Sequence, residues 1–392
     1  MTGGGATCRH GPPRYRADSG GPLGTGSEVD SPIPLYKVRM PPRDVLLPRL
    51  DEVLYSGYIG EGKDVQAFEE RFSAWLGVPA ALACSSGTAA LHLALILAGV
   101  GTGDRVVSTA MTAEPTNMAI RHAGAQPLFA DIDERNGTVS ADTVGPVLDE
   151  GVRAILAVDY AGIPVAMGPL RALADRHGLP IVEDAAQALG ATWEGRWVGH
   201  LADFTVFSFQ AIKHITTGDG GMLILRDAGL LPRARRLRWF GLERGVDRSL
   251  VDVSEVGFKY GMNNIAAAIG LAQMATADDV VASHVANGRA YDDAFANIPG
   301  IRPARWDDGA GPSYWVYSLL CDDREGVARR LTEMGVGWGL PHRRNDLHSV
   351  FRDQRRPLPF LDRYYRQVIH LPCGWWVGEE ERRRVIDAVV AE

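Results

Sequence analysis

The stretch "VFSFQAIKHITTGDGGML", residues 206–223, places a single lysine, Lys213, between two apolar runs. A Gly-rich turn with an acid at Asp219 follows the lysine. Alternating apolar residues before and after the turn read as strands. A lysine inside such a core segment has its charge either used or suppressed. Desolvation and nearby cations lower an amine pKa and free a neutral amine to act as nucleophile or base. The plain structural reading is a strand-end lysine whose stem covers apolar surface while its head reaches water.

Working outward, short apolar runs alternate with helical stretches from about residue 80 to 225. "RVVST", "QPLFADI", "RAILAVDY", "LPIVEDA", "FTVFSF" and "GMLIL" are the strand candidates, with helices expected over 87–99 and 167–178. That alternation predicts an α/β fold with a mostly parallel sheet covered by helices. Two helices broken by "SGYIGEGKD" (56–64) precede it, and helical stretches at 228–240 and 262–280 follow. The remainder reads as a smaller α+β unit, with "SYWVYSLLC" as a strand and "REGVARRLTEMG" and "EEERRRVIDAVVA" as helices. The domain expectation is a disordered arm over 1–30, a large domain over 31–280 and a small C-terminal domain over 281–392.

Composition narrows the function classes. The chain has 392 residues, 46% hydrophobic and 23% charged, with a formal charge of −7. That balance argues against nucleic-acid and anionic-membrane partners, which select basic surfaces. Four scattered cysteines show no C-x-x-C spacing, which favours a reducing, cytoplasmic setting without disulfides or zinc. No apolar run approaches the roughly 20 residues that span a bilayer.

Two more motifs stand on the same expected sheet. "CSSGTAALHLALILAG" (84–99) offers Ser85 or Ser86 as a helix cap, with Gly87 and Thr88 in the first turn. Free amides and the helix dipole there suit an anion such as phosphate, although capping alone also explains the sequence. "LPIVEDAAQALGA" (179–191) sets Glu183 and Asp184 at the carboxyl end of a strand, where ligands bind in open α/β sheets. A cap is the plain reading of Asp184 too. Together, an anion cradle, a buried acid and a lysine meet the needs of pyridoxal 5'-phosphate: a phosphate site, a carboxylate for the ring nitrogen and an amine for covalent attachment.

The segments "SSGTAALHLAL", "VEDAAQALGA", "GRWVGHLADFTVFSFQAIKHITTGDGGM" and "GFKYGMNNIAAAIGLAQM" resemble the DegT/DnrJ/EryC1/StrS family of PLP-dependent sugar aminotransferases. The resemblance implies the fold type I (aspartate aminotransferase-like) architecture. It makes Lys213 the covalent cofactor anchor and catalytic residue, Asp184 the partner of the ring nitrogen, and Gln187 the neighbour of the phenolic oxygen. Ser208, Gly87 and Thr88 become phosphate ligands. It further implies a homodimer in which "GFKYGMNN" reaches the partner's site, with Lys259 or Asn263 supplying the polar group. Where relatives carry a ring-stacking aromatic, this chain has Ala113 in "AMTAEPTNMA". The implied reaction moves an amino group from glutamate or glutamine to a keto sugar, nucleotide-linked, in amino-sugar or antibiotic biosynthesis. A keto-cyclitol substrate, a sugar dehydratase of the same fold and a non-catalytic regulatory relative are the alternatives.

The arginines of "RARRLRWFGLERGVDR" (233–248) read as a solvated helix face or as contacts to a nucleotide phosphate. In "PHRRNDLH", His342 is a candidate substrate-facing residue, whereas His214 reads as a packing or surface residue.

Overall fold

In the computed structural model, residues 31–391 are described, so the expected N-terminal arm lies outside the described residues. Pro32–Glu392 forms one compact unit. Its centre is a seven-stranded sheet, built from β1 (Ala81–Cys84), β2 (Arg105–Thr109), β3 (Gln126–Ala130), β4 (Val152–Val158) and β5 (Ile181–Asp184). The two-residue strands β6 (Thr192–Trp193) and β7 (Arg196–Trp197) come next in the chain, followed by the last members of the sheet, β8 (Phe204–Ser208) and β9 (Gly221–Leu225). The spatial order is β1-β9-β8-β5-β4-β2-β3, and β9 alone runs antiparallel to its neighbours. Nearly every residue of these strands is buried, as expected for a sheet with both faces covered. β1 was absent from the sequence-based strands. Its four residues, ALAC, are apolar throughout and carry two alanines and no β-branched or aromatic residue, so neither alternation nor strand propensity marks them.

Helix Gly87–Leu97 packs on one face, and helices Lys63–Leu76 and Asn264–Met274 lie together on the other. Lys63–Leu76 sends Val65, Phe68, Phe72 and Leu76 into the core, a period of three and four residues. Gly77 at φ 72° ends it in a left-handed cap. The C-terminal part carries β10 (Ile301–Pro303), β11 (Ala310–Gly311), β12 (Tyr317–Cys321) and β13 (Val368–Leu371). β10, β12 and β13 form a second, antiparallel sheet; β11 pairs with β6. Helix Ala277–Phe295 runs across the position expected for the domain boundary. No single helix among the described residues is long and apolar enough to cross a membrane.

One member of the 233–248 arginine run departs from both sequence readings. Arg238 is 3% exposed. Its guanidinium donates to Glu69 Oε1 (2.6 Å), to Ala83 O (2.7 Å) and to Glu61 Oε1 (2.5 Å). Glu69 also accepts the amide of Ala83 at 2.9 Å. This cluster ties the 56–62 loop and two helices to β1. Glu69→Ala leaves the buried Arg238 with Glu61 as its remaining acid and the Ala83 amide without its acceptor, so it should cost about 3 kcal/mol. Denaturant unfolding measures it, and a loss below about 1 kcal/mol would show that the cluster is solvated.

Candidate active site

The carboxyl ends of β1, β2, β5 and β8 surround a cavity of about 510 Å³, a volume ordinary for a small-molecule site. Gly87, Thr88, Asp184, Gln187, Ser208 and Lys213 all line it. Asn263 does not. It caps helix Asn264–Met274 by accepting the Ala266 amide, and it opens onto an adjoining cavity of about 300 Å³. Asp219 lines both cavities. Lys259 is exposed and outside both linings.

The anion end is built by backbone. β1 stops at Cys84, and Ser86 turns the chain into helix Gly87–Leu97, its hydroxyl accepting the Ala89 amide at 3.1 Å. The amides of Gly87 and Thr88 have no intrahelical acceptor in such a first turn. A Cβ on Gly87 would sit 3.1 Å from Ser208 Cβ and 3.3 Å from its hydroxyl, so glycine keeps this corner open. A Cβ on Gly221 would lie 2.5 Å from Ser86 O. That position has to be glycine for β9 to pass beside the turn. Free amides, the Thr88 and Ser208 hydroxyls and a helix start fit a phosphate group.

Asp184 ends β5 at the opposite wall and is 4% exposed. Thr116 donates its hydroxyl to Oδ2 at 2.7 Å, and the Ala186 amide reaches Oδ1 at 3.1 Å. Burial raises its pKa, and these donors together with the charge of Lys213 act against that rise. No helix follows Asp184, so it is not the cap considered from sequence. A buried carboxyl served by neutral donors suits a cationic ring nitrogen. Gln187 accepts the Ala161 amide at 2.7 Å, and its own amide nitrogen lies 3.4 Å from His342 Nε2.

Lys213 sits in the 209–220 loop between the antiparallel β8 and β9. Phe209 and Gly220 close that loop through a 2.9 Å backbone bond. Burial pulls the amine down to about 8, against the opposing charge of Asp184. A lysine of this kind is available as a neutral amine near physiological pH. His214 is buried, its ring facing Ser313 O at 3.1 Å. Burial holds it far below its ordinary value, with His284 adding to the effect. Ala113 and Ala186 both line the cavity, so no aromatic ring stands at position 113. Trp315, from the sequence-predicted strand "SYWVYSLLC", brings an indole to this cavity. His342 also lines it, and burial brings its imidazole down to about 3.

Behind Asp184 lie two further buried carboxyls. Burial lifts Glu183 to about 7, against a hydrogen bond from the Thr205 hydroxyl. Asp159 is fully buried and is pushed well above the carboxylate range by burial first and by Glu183 second. Its Oδ2 has no hydrogen-bond partner among the described residues. An acid whose folded pKa is raised keeps its proton while the unfolded chain loses it, so stability falls as pH rises above about 4. Asp159→Asn should therefore gain in melting temperature relative to the parent between pH 4 and pH 7. A difference independent of pH would show that Asp159 is ionised in the fold.

Comparison with known proteins converges on the same chemistry. The DegT/DnrJ/EryC1/StrS aminotransferase family model matches residues 43–390. The spore coat polysaccharide biosynthesis protein SpsC of Bacillus subtilis is 32% identical over 357 residues, 86% of this chain and 92% of that protein. The sugar aminotransferase CalS13 from Micromonospora echinospora is 36% identical with a TM-score of 0.88, covering 92% of this chain and 99% of that one. DesI, solved in the presence of its TDP-sugar product, is 32% identical with a TM-score of 0.82, covering 92% of each chain. The fold is that of the fold type I enzymes. The cofactor is pyridoxal phosphate, and the activity is that of a sugar aminotransferase. With its match running from the first residue of the first described helix to the last residue of the final one, the chain belongs to the DegT/DnrJ/EryC1/StrS aminotransferase family.

Proposed function

We propose that this enzyme transfers an amino group from glutamate or glutamine to the ketone of a nucleotide-linked sugar, in the making of an amino sugar for a secondary metabolite. The observation that carries the reading is the desolvated Lys213 amine, in one cavity with Asp184 and the helix start at Gly87. Pyridoxal phosphate supplies the electron sink that stabilises negative charge on the carbon bearing the amino group. The amides of Gly87 and Thr88 and the hydroxyls of Thr88 and Ser208 hold its phosphate. Asp184 holds the ring nitrogen, kept ionised there by the charge it meets. Gln187 stands beside the phenolic oxygen. Lys213 anchors the cofactor, and its freed amine takes a proton from the donor carbon and returns one during the second half of the reaction. Glu114, Gln210 and His342 on the cavity wall give a hydroxyl-rich substrate hydrogen-bonding partners. The TDP-sugar of DesI supports the nucleotide carrier.

The same reading makes the enzyme a homodimer. Tyr55, Leu250 and Val256 are about four-fifths exposed, far more than isolated apolar side chains need to be. Asn263 and Asp219 line the adjoining cavity, where a partner segment could reach the phosphate end.

Lys213→Ala should abolish turnover and the visible absorbance of the covalently held cofactor while the protein still binds pyridoxal phosphate. Normal transamination by that variant would overturn the assignment. A panel of TDP- and UDP-linked keto sugars and free inososes, offered to the aminated cofactor form, should return that absorbance only with the nucleotide sugars. A response to inososes alone would replace the substrate class. Leu250→Asp with Val256→Asp should yield a monomer by light scattering and reduce kcat/KM at least tenfold; a dimer of unchanged activity would place the interface elsewhere.

A further inference from the structure

Trp315 is 1% exposed, yet its ring lines the cavity, with the Lys213 Nζ 4.1 Å from the ring centroid. The indole is fixed from several directions. Its Nε1 donates to Ile212 O at 2.9 Å, the carbonyl immediately before the lysine. Tyr36 stacks on it at 5.1 Å and 25°, and His342 lies almost parallel at 6.3 Å and 10°. The backbone leading into it is equally constrained. Tyr314 holds φ 47°, and the Ser313 amide donates to Gly162 O at 2.9 Å. A Cβ on Gly162 would meet the Trp315 nitrogen at 2.6 Å. His214, directly after the lysine, is tied to Ser313 O. Residues on both sides of Lys213 are therefore bonded to the 313–315 segment, whose tryptophan faces the amine.

We propose that Trp315 is a positioning residue for Lys213: its indole face is the seat on which the amine rests as a cation whenever it is not engaged with the cofactor. This rests on the assignment of Lys213 as the anchor. The seat keeps Nζ over the cavity and governs how readily it gives up its proton. Charged and titratable groups around the amine are few. Asp184 ends β5, Glu114 opens the helix after β2, and Asp219 lies in the lysine's own loop. His342 and His214 are held neutral by burial. Among these, Asp184 is the charge that acts on the amine, in opposition to burial. A tryptophan face is the strongest of the aromatic seats for a cation, and its effect grows where water is excluded.

The test reads the amine directly in cofactor-free protein. Cyanate reacts with neutral amines, so carbamoylation of the Lys213 peptide, followed by mass spectrometry from pH 6 to pH 10, titrates Nζ. Trp315→Leu keeps the site apolar and removes the π face. It should lower the amine pKa by about one unit, which raises labelling at pH 6.5 about tenfold. Trp315→Phe keeps a ring and should shift it by less than half as much. Both variants lose the bond to Ile212 O, so the difference between them isolates the ring face. Equal shifts, no shift, or an upward shift in Trp315→Leu would overturn the proposal. The titration needs no turnover, so its failure is separate from any failure of Lys213 as the anchor.

Discussion

Holding Asp184 and Lys213 out of water in one cavity costs several kcal/mol per charge unless each finds partners, and most of the architecture around the site answers that demand. Asp184 stands where parallel strands end, so the Ala186 amide and the β2-side hydroxyl of Thr116 converge on it. Thr112 in turn bonds Thr116 at 2.9 Å, which fixes the donor. Among the described residues no carboxylate forms an ion pair with Lys213, whose pKa burial lowers. The imbalance is chemically useful, because an amine fully paired with an acid is too stable as a cation to serve as a base.

Close backbone approach turns these separated segments into one site. β9 slips antiparallel between β1 and β8 only because Gly221 leaves room beside Ser86. The C-terminal part is locked on by Asn345. Its amide nitrogen donates to Ala110 O, its side chain reaches Thr112 O, and Asn117 bonds its Oδ1. These bonds span more than two hundred residues of sequence and bring His342 to the cavity wall. Directional buried polar contacts of this sort specify one docking arrangement, where apolar contact alone tolerates several.

What could be read from sequence follows from how local each signal is. Six of the seven strands of the main sheet, the helix start at Ser86-Gly87 and the lysine loop each declare themselves within about ten residues, through period, capping and turn chemistry. The burial of Arg238 could not be read that way, because its acids come from Glu61 and Glu69, far upstream. An arginine-rich helix looks solvated until those partners are known. "SYWVYSLLC" reads as one strand, yet β12 begins only at Tyr317, since Tyr314 adopts a left-handed backbone that ends the alternation. Trp315 is thereby aimed at the lysine, and nothing in the period of the sequence records that.

The walls of the cavity carry no ring at position 113. Two alanines, Ala113 and Ala186, leave the broad faces of the site shallow. On the proposed assignment, a flat cofactor beside such small side chains would gain little orientation from stacking, and its placement would fall to its edges: the helix start, Asp184, Gln187 and the lysine. Each edge is accordingly rigid, the first by the Ser86 cap and the last by the Trp315 and His214 bonds to either side of Lys213. The small side chains at positions 113 and 186 also leave volume in the cavity. A bulky sugar needs that space, whereas an aromatic at position 113 would occupy part of it.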